Sequence, residues 1–203
     1  MYWGKPDASV LFCENKYINN EYVGEYYNTL SGIPYILVGI FYYNNNLKKI
    51  GTSIIFLGIG TCILHGTLRY YGQILDETSM LAVSFNIINR IRNRQILKEF
   101  SNIYLYCLIF IYLMFYKNFY IFFSIFSSLQ VYTYKLVTYR ENKYLSRSKY
   151  NIVIYKNVFL FSSFCWILDQ LFCEYVQHLY LHAVWHIGTS ISLFVGLFPF
   201  LLN

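Results

Sequence analysis

TCILHGTLRYYGQILDE, residues 61–77, ends the second apolar segment of the chain and begins the third. It has a distant partner in HAVWH, residues 182–186, which begins the last apolar segment. Together the two stretches contain three of the four histidines in the sequence, His65, His182 and His186. Neutral imidazole is a common zinc ligand, and three protein ligands with an open fourth position are typical of catalytic zinc sites. The pattern therefore predicts a fold that brings these two stretches together.

Lipid is the expected solvent for most of the chain. The 203 residues are 57% hydrophobic and 13% charged, against roughly 45–50% and 25% in soluble domains. A soluble protein of this length could not bury so much apolar surface. The net charge of +6 does not indicate nucleic-acid binding, because the basic residues lie in loops between apolar segments. Composition therefore predicts an integral membrane protein without a separate soluble domain.

Seven apolar segments predict an all-α, seven-transmembrane helix bundle that forms a single domain over residues 1–203. Each segment has close to the ~20 residues that a helix needs to cross a bilayer. Residues 1–26 precede them and lack the basic start and apolar run of a cleavable signal peptide. The predicted spans are approximately 27–43, 50–70, 74–91, 99–116, 118–136, 152–172 and 179–201.

The distribution of basic residues predicts how the bundle is oriented. Twelve lysines and arginines lie in or beside the loops after spans one, three and five, and four lie on the opposite side. Cytoplasmic loops carry the excess of positive charge in membrane proteins. We therefore expect a lumenal or extracellular N-terminus and a cytosolic C-terminus in a multi-pass protein of the endoplasmic reticulum or Golgi membrane.

The three histidines are predicted to lie at one depth. At ~1.5 Å per residue, His65 lies roughly 7–8 Å below the lumenal face of a ~30 Å core. His182 and His186 are i, i+4 neighbours one to two turns inside the same face and share one side of their helix. Asp76 returns to this level after a turn, and Thr61 lies one turn before His65. Each histidine alone could simply hydrogen-bond a neighbouring helix, but a cluster of ionisable groups at matched depth favours a functional site.

Six blocks of sequence carry a family resemblance, in order along nearly the whole chain. They are Tyr2-Trp3-Gly4, Phe12-Cys13-Glu14, Glu25-Tyr-Tyr-Asn28-Thr29, His65-Gly-Thr-Leu-Arg-Tyr-Tyr-Gly-Gln-Ile-Leu-Asp76-Glu77-Thr-Ser-Met80, Trp166-Ile-Leu-Asp169-Gln-Leu-Phe-Cys173-Glu174 and His182-Ala-Val-Trp185-His186. These blocks resemble those of the alkaline ceramidases. That family comprises seven-span intramembrane amidases, distantly related to zinc hydrolases of the adiponectin-receptor type.

The resemblance implies a zinc-dependent reaction and assigns its residues. His65, His182 and His186 would bind zinc, and Asp76 would position or deprotonate a water whose pKa zinc lowers towards ~7. The bond cleaved would be the N-acyl bond of ceramide or another N-acyl sphingolipid within the bilayer, with sphingosine and a fatty acid as products. Thr61 stands where the family has a serine that donates a hydrogen bond to the reacting water or the oxyanion. Alternatively, its hydroxyl bonds the carbonyl one turn earlier in its own helix.

The resemblance also implies a calcium site in the N-terminal segment, and here the sequence departs from it. Glu14, Glu25 and the backbone carbonyl of Phe12 remain, but Leu11 replaces an expected Asp and Lys16 an expected Asn. Losing two oxygen ligands and gaining an ammonium should lower Ca²⁺ affinity sharply. We hypothesise that Lys16 replaces the ion by pairing with Glu14 or Glu25.

The five cysteines divide by predicted location. Cys62, Cys107 and Cys165 lie inside spans, where we expect inert thiols. Cys13 and Cys173 both fall on the lumenal side, which is an oxidising compartment. We predict a disulfide between these two, which would tie the N-terminal segment over the site; two free, buried thiols are the alternative.

A zinc amidase is the favoured function, with two rivals. A non-catalytic, zinc-stabilised lipid-binding or receptor-like protein of the same fold is suggested by the changes at Leu11, Lys16 and Thr61. Asp76 argues against it, since a purely structural zinc site needs no carboxylate beside an open position. A metal transporter would need polar ligands at several depths, whereas these cluster at one. Asp169, near the lumenal end of span six, either orients a ligand histidine or bonds a neighbouring helix.

Overall fold

The computed structural model describes residues 2–95, 97–143 and 149–197, and within these ranges the protein contains helices and no strand. The predicted all-α class is confirmed. The helices are α1 Tyr26–Leu30, α2 Ile33–Asn44, α3 Lys48–Thr67, α4 Tyr70–Arg94, α5 Asn102–Met114, α6 Phe119–Lys143, α7 Lys149–Leu171, α8 Cys173–Val176 and α9 Leu181–Ile191. A 3₁₀ turn, Gln177–Leu179, precedes α9, and a π-helical segment, Ser192–Leu197, follows it.

The bounds of several helices differ from those of the predicted spans. The first span is divided into α1 and α2, because Pro34 near the start of α2 has no N–H to continue the hydrogen bonding of α1. α5 has only 13 residues, since Ser101 caps its start and it ends at Met114. Positions 198–201 of the last predicted span lie outside the described residues.

Within the described parts of the chain, two helices are long and apolar enough to cross a membrane, namely Lys48–Thr67 and Tyr150–Leu171. The first is largely surrounded by other helices, whereas most of the second faces outward. Seven crossings, and the side of the membrane on which each terminus lies, remain predictions.

Close packing of α3 against α4 sets the position of the site. The two helices are joined by a tight turn in which Leu68 adopts the left-handed conformation, with φ of 57°. A methyl group on Gly60 would lie 2.5 Å from Asp76 N, and one on Gly72 would lie 2.6 Å from Leu64 N. Only glycine permits this approach, which brings the start of α4 directly beside the end of α3.

The apolar core fills the other end of the bundle. Buried aliphatic and aromatic side chains meet there from the first half of α3 and the second half of α4, with contributions from α2, α6 and α7. Its fully buried members are Tyr42, Ile54, Ile88, Ile91 and Val137. The end that contains the histidines is the polar end of the bundle interior, where Thr61, His65, Gln73 and Asp76 are buried.

The N-terminal segment, residues 2–25, lies across this polar end. Gly24 N donates to Gly66 O at 2.8 Å, and Glu25 N donates to His65 O at 2.9 Å. An ion pair joins Asp7 to Arg69 at 3.0 Å. Backbone and side-chain bonds therefore fix the segment to the end of α3.

Candidate metal centre

Three buried histidines converge where α3 and α9 meet. His65 comes from the last turn of α3, and His182 and His186 come from the first two turns of α9. One ligand nitrogen from each lies within 4.8 Å of those of the other two. Their ring centroids are 4.5 to 5.1 Å apart. The structure thus brings together the three histidines expected to bind a metal.

Hydrogen bonds that their Nδ1–H groups donate fix two of the three imidazoles. His65 Nδ1 lies 2.5 Å from Glu25 Oε2, and His186 Nδ1 lies 2.7 Å from Ser31 Oγ. Metal-bound histidines usually use their second nitrogen in this way, which sets the tautomer and leaves Nε2 for the ion. Sequence reasoning missed Ser31, and its only local signal is the helix break that Pro34 predicts.

The environment of His182 shows whether a metal ion would fit among the three histidines. Both of its ring nitrogens are buried, and neither has a hydrogen-bond partner among the residues that the structure describes. Buried polar side chains nearly always have such a partner. A divalent ion held by His65, His182 and His186 would satisfy one nitrogen of this imidazole, so the donor set fits a transition metal such as zinc.

Asp76 and Thr61 lie side by side next to the histidines. Thr61 Oγ1 is 2.5 Å from Asp76 Oδ1 and 2.9 Å from Leu57 O, one turn earlier in α3. The carbonyl one turn earlier is thus within reach of the hydroxyl, as in the second arrangement considered for Thr61, and the Asp76 carboxylate is a further acceptor that the sequence did not indicate. The hydroxyl has one proton, so it donates to one of these acceptors at a time.

Phe12 covers the histidines from the N-terminal segment. Its ring centroid is 3.9 Å from that of His182 and 4.9 Å from that of His65. A disulfide between Cys13 and Cys173 joins the same segment to α8, with Cα atoms 5.3 Å apart. Phe12 and Cys13, which belong to the segment of the implied calcium site, therefore lie directly over the three histidines.

Asp169 contacts backbone on both sides of the site. Its carboxylate accepts a hydrogen bond from Cys13 N at 3.3 Å and lies near the backbone N–H of His182. These contacts connect α7 to the N-terminal segment and to the start of α9. Asp169 therefore fixes the position of the helix that carries two of the histidines.

The residues of the implied calcium site have different partners in this structure. The two carboxylate oxygens of Glu14 accept hydrogen bonds from Tyr27 N and Asn28 N, at the start of α1, at 2.8 Å each. Burial raises the pKa of Glu14 above its usual range, and these two bonds lower it in part. The Lys16 ammonium contacts the Glu25 carboxylate, whereas Leu11 is 65% exposed.

Glu25 connects Lys16 to the metal centre. It is fully buried, with Oε1 paired with the Lys16 ammonium and Oε2 within hydrogen-bond distance of His65 Nδ1. Burial by itself raises the pKa of Glu25, but the hydrogen bonds from His65 and Lys16, together with the positive charge of Lys16, outweigh it and hold the pKa below its ordinary value.

A cavity of about 290 Å³ begins at this site and extends between α6 and α7. Thr61, Asp76, Glu77, His182 and His186 form its polar end. The remaining lining is mainly aromatic, with Phe119, Phe122, Phe123, Phe126, Phe159, Trp166 and Trp185. The cavity thus joins a polar end beside the histidines to a mainly apolar compartment, a combination that is typical of ligand-binding sites.

Comparison with known proteins identifies the family. A family model described as Ceramidase matches residues 4–201. The chain belongs to the ceramidase family.

Several curated relatives are named alkaline ceramidases. The chain is 26% identical over 212 residues to the alkaline ceramidase of Arabidopsis thaliana, covering 94% of this chain and 82% of the relative. It is 27% identical over 215 residues to alkaline ceramidase 1 of Mus musculus, covering 94% and 78%. A shorter match of 87 residues is 34% identical to alkaline ceramidase YPC1 of Saccharomyces cerevisiae, covering 39% and 28%. The resemblance drawn from the sequence blocks is confirmed.

Proposed function

We propose that this protein is a zinc-dependent intramembrane amidase that hydrolyses the N-acyl bond of ceramide to sphingosine and a fatty acid. The observation that carries the proposal is His182, whose two ring nitrogens are buried without a partner in the described structure, between His65 and His186. Membership in the ceramidase family supports the reaction class.

His65, His182 and His186 would hold the zinc ion. When bound, zinc supplies a Lewis acid for the amide carbonyl and lowers the pKa of a bound water. Glu25 and Ser31 hold the imidazoles of His65 and His186 in their orientations. Such partners raise the basicity of the ligands and fix the direction of their free nitrogens.

Asp76 is the proposed proton carrier. Its carboxylate accepts a proton from the attacking water and gives it to the amine nitrogen as the C–N bond breaks, so the proton balance closes. The hydrogen bond from Thr61 orients this carboxylate within the cavity. Phe12 covers the histidines from the lumenal side and limits access of bulk water.

The aromatic compartment supports a lipid substrate. At its outer side between α6 and α7, Phe123 is 40% exposed and Ile167 is 43% exposed. An apolar rim of this kind faces lipid more favourably than water. We propose that an acyl chain of ceramide enters along this side while its amide reaches the histidines.

The proposed topology has seven spans, a lumenal N-terminus and a cytosolic C-terminus, in the membrane of the endoplasmic reticulum or Golgi. The disulfide between Cys13 and Cys173 supports this orientation, because disulfides persist in oxidising compartments. Protection of an N-terminal epitope from protease in sealed microsomes, with digestion of a C-terminal one, would be the expected result; the reverse pattern would contradict the orientation.

The test of function is fatty-acid release from a fluorescent ceramide by the purified protein, with zinc content measured on each sample. We expect release by the wild type, loss of both zinc and release in His182→Ala, and loss of release with zinc retained in Asp76→Asn. Zinc binding by the wild type without turnover of any N-acyl lipid would refute the enzyme assignment. It would favour a non-catalytic lipid-binding protein of the same fold.

A further inference from the structure

The ammonium of Lys16 lies in a pocket of oxygen atoms in the N-terminal segment. It donates to Phe12 O at 2.5 Å and to Glu14 O at 2.7 Å, and it also contacts Glu25 Oε1. A hydrogen bond of 2.7 Å from Tyr17 N to Gly24 O closes the loop that carries these groups. Two backbone carbonyls and a carboxylate therefore surround one positive charge.

Glu25 requires a positive partner because it is completely buried. A buried carboxylate is costly unless it is paired and hydrogen-bonded. Oε1 meets Lys16, whereas Oε2 lies 2.5 Å from His65 Nδ1 and 3.0 Å from Asn28 Nδ2. The side chain of Lys16 keeps 28% of its surface exposed, so it brings its charge from the edge of the segment at a lower desolvation cost than a fully buried cation.

These residues do not fit the calcium ion that the family resemblance implies. Ca²⁺ needs six to eight oxygen ligands at about 2.3–2.6 Å. Here three nearby oxygens, of Phe12, Glu14 and Glu25, accept hydrogen bonds from the ammonium of Lys16. Both carboxylate oxygens of Glu14 accept hydrogen bonds from backbone N–H groups of α1. Leu11, in place of an expected carboxylate, points to the surface.

We propose that Lys16 is a built-in cation that replaces a bound divalent ion and, through Glu25, fixes the imidazole of His65. Two consequences follow. The protein needs no Ca²⁺ for its fold or activity, and Lys16 is a positioning residue for the metal centre. The second consequence rests on the proposed zinc site, whereas the first does not.

The first experiment measures divalent-ion binding to the full-length, detergent-purified protein. Terbium luminescence sensitised by nearby aromatic side chains, with Ca²⁺ as competitor, reports an oxygen-rich site directly. For the wild type we expect no terbium signal displaced by Ca²⁺, and the same thermal unfolding midpoint in EGTA as in about 1 mM Ca²⁺, a concentration that fills even weak calcium sites. The double variant Leu11→Asp/Lys16→Asn should gain both responses. A Ca²⁺-displaceable signal, or a raised midpoint, in the wild type would overturn the proposal.

The second experiment measures zinc affinity by competition with a chromophoric chelator. Loss of a group that orients a metal ligand typically lowers metal affinity by about 10- to 100-fold. We expect that loss for Lys16→Met and no change for Lys5→Met, an exposed lysine of the same segment. Because Lys16 acts through Glu25, Lys16→Met/Glu25→Gln should lose no more than Glu25→Gln alone.

The outcomes of the second experiment are separable from those of the proposed function. Unchanged zinc affinity in Lys16→Met, or losses that add in the double variant, would reject the positioning role. A wild type that binds no zinc would reject the proposed function instead, and the terbium and calcium measurements would still decide whether Lys16 replaces a divalent ion.

Discussion

Replacing Thr61 by valine removes one hydroxyl beside Asp76 and leaves the shape of the side chain nearly unchanged. The hydroxyl lies 2.5 Å from Asp76 Oδ1 and 2.9 Å from Leu57 O, and it has one proton to donate. We expect the carboxylate to receive that proton in the working enzyme, because hydrogen bonds to charged acceptors are about twice as strong as neutral ones.

The burial of both groups determines the size of the effect. Thr61 is 1% exposed and Asp76 is 7% exposed, so bulk water does not readily replace the lost donor. A hydrogen bond to a charged group contributes roughly 1.5–3 kcal/mol. Expressed as a rate, this predicts a kcat/KM for Thr61→Val about 10- to 150-fold below that of the wild type. Thr61→Ser keeps the donor and should remain close to wild type.

The assay is fatty-acid release from fluorescent ceramide, with zinc content determined for the wild type and both variants. If the wild type and both variants contain equal zinc, any loss of rate comes from the lost hydrogen bond to Asp76 and not from loss of the metal. Thr61→Val with full zinc content and wild-type kcat/KM would refute the reasoning. The hydroxyl proton would then belong to the carbonyl of Leu57.

Three further predictions concern the rest of the site. Ser31→Ala removes one neutral hydrogen bond to a ligand histidine, worth about 0.5–1.5 kcal/mol, and should weaken zinc binding about 2- to 10-fold in chelator competition; unchanged affinity would contradict its orienting role. Ser127→Trp should fill part of the cavity and slow hydrolysis of long-chain ceramide with zinc retained, whereas the neighbouring, exposed Ser128→Trp should not; equal rates in the two variants would count against the cavity as the lipid site. Cys13→Ser should lower the thermal unfolding midpoint, because removing a disulfide typically costs about 2–4 kcal/mol, while Cys107→Ser at an exposed free thiol should leave it unchanged; equal midpoints would argue that the disulfide does not form.

Simple geometry was enough to predict which residues meet at the metal centre. An i, i+4 pair shares one helix face whatever the rest of the fold does, so His182 and His186 had to point the same way. A tight turn between two helices returns the chain to the same depth, which brought Asp76 beside Thr61. These relations depend on distances along one or two helices and are therefore readable from the sequence.

Long-range packing and the choice of side-chain partners were not readable in the same way. Ser31 lies in a helix break that Pro34 predicts, but no residue near it in the sequence indicates that its hydroxyl hydrogen-bonds to His186. The sequence offers two carboxylates, Glu14 and Glu25, as partners for Lys16. Lys16 pairs with Glu25, because the Glu14 carboxylate accepts hydrogen bonds from the backbone at the start of α1 instead. The cavity between α6 and α7 depends on how these two helices pack against each other, which hydropathy does not specify.

Gly60 and Gly72 fix the register of α3 against α4 as well as the distance between them. Each lies where an added Cβ would strike the backbone of the opposite helix, at Asp76 and Leu64 respectively. With two such contacts the pair has one permitted alignment along its length. A slip of one residue would turn Asp76 by about 100° around the axis of α4 and carry it away from Thr61. The absence of a Cβ atom at Gly60 and Gly72 therefore determines where the proposed catalytic carboxylate of Asp76 points.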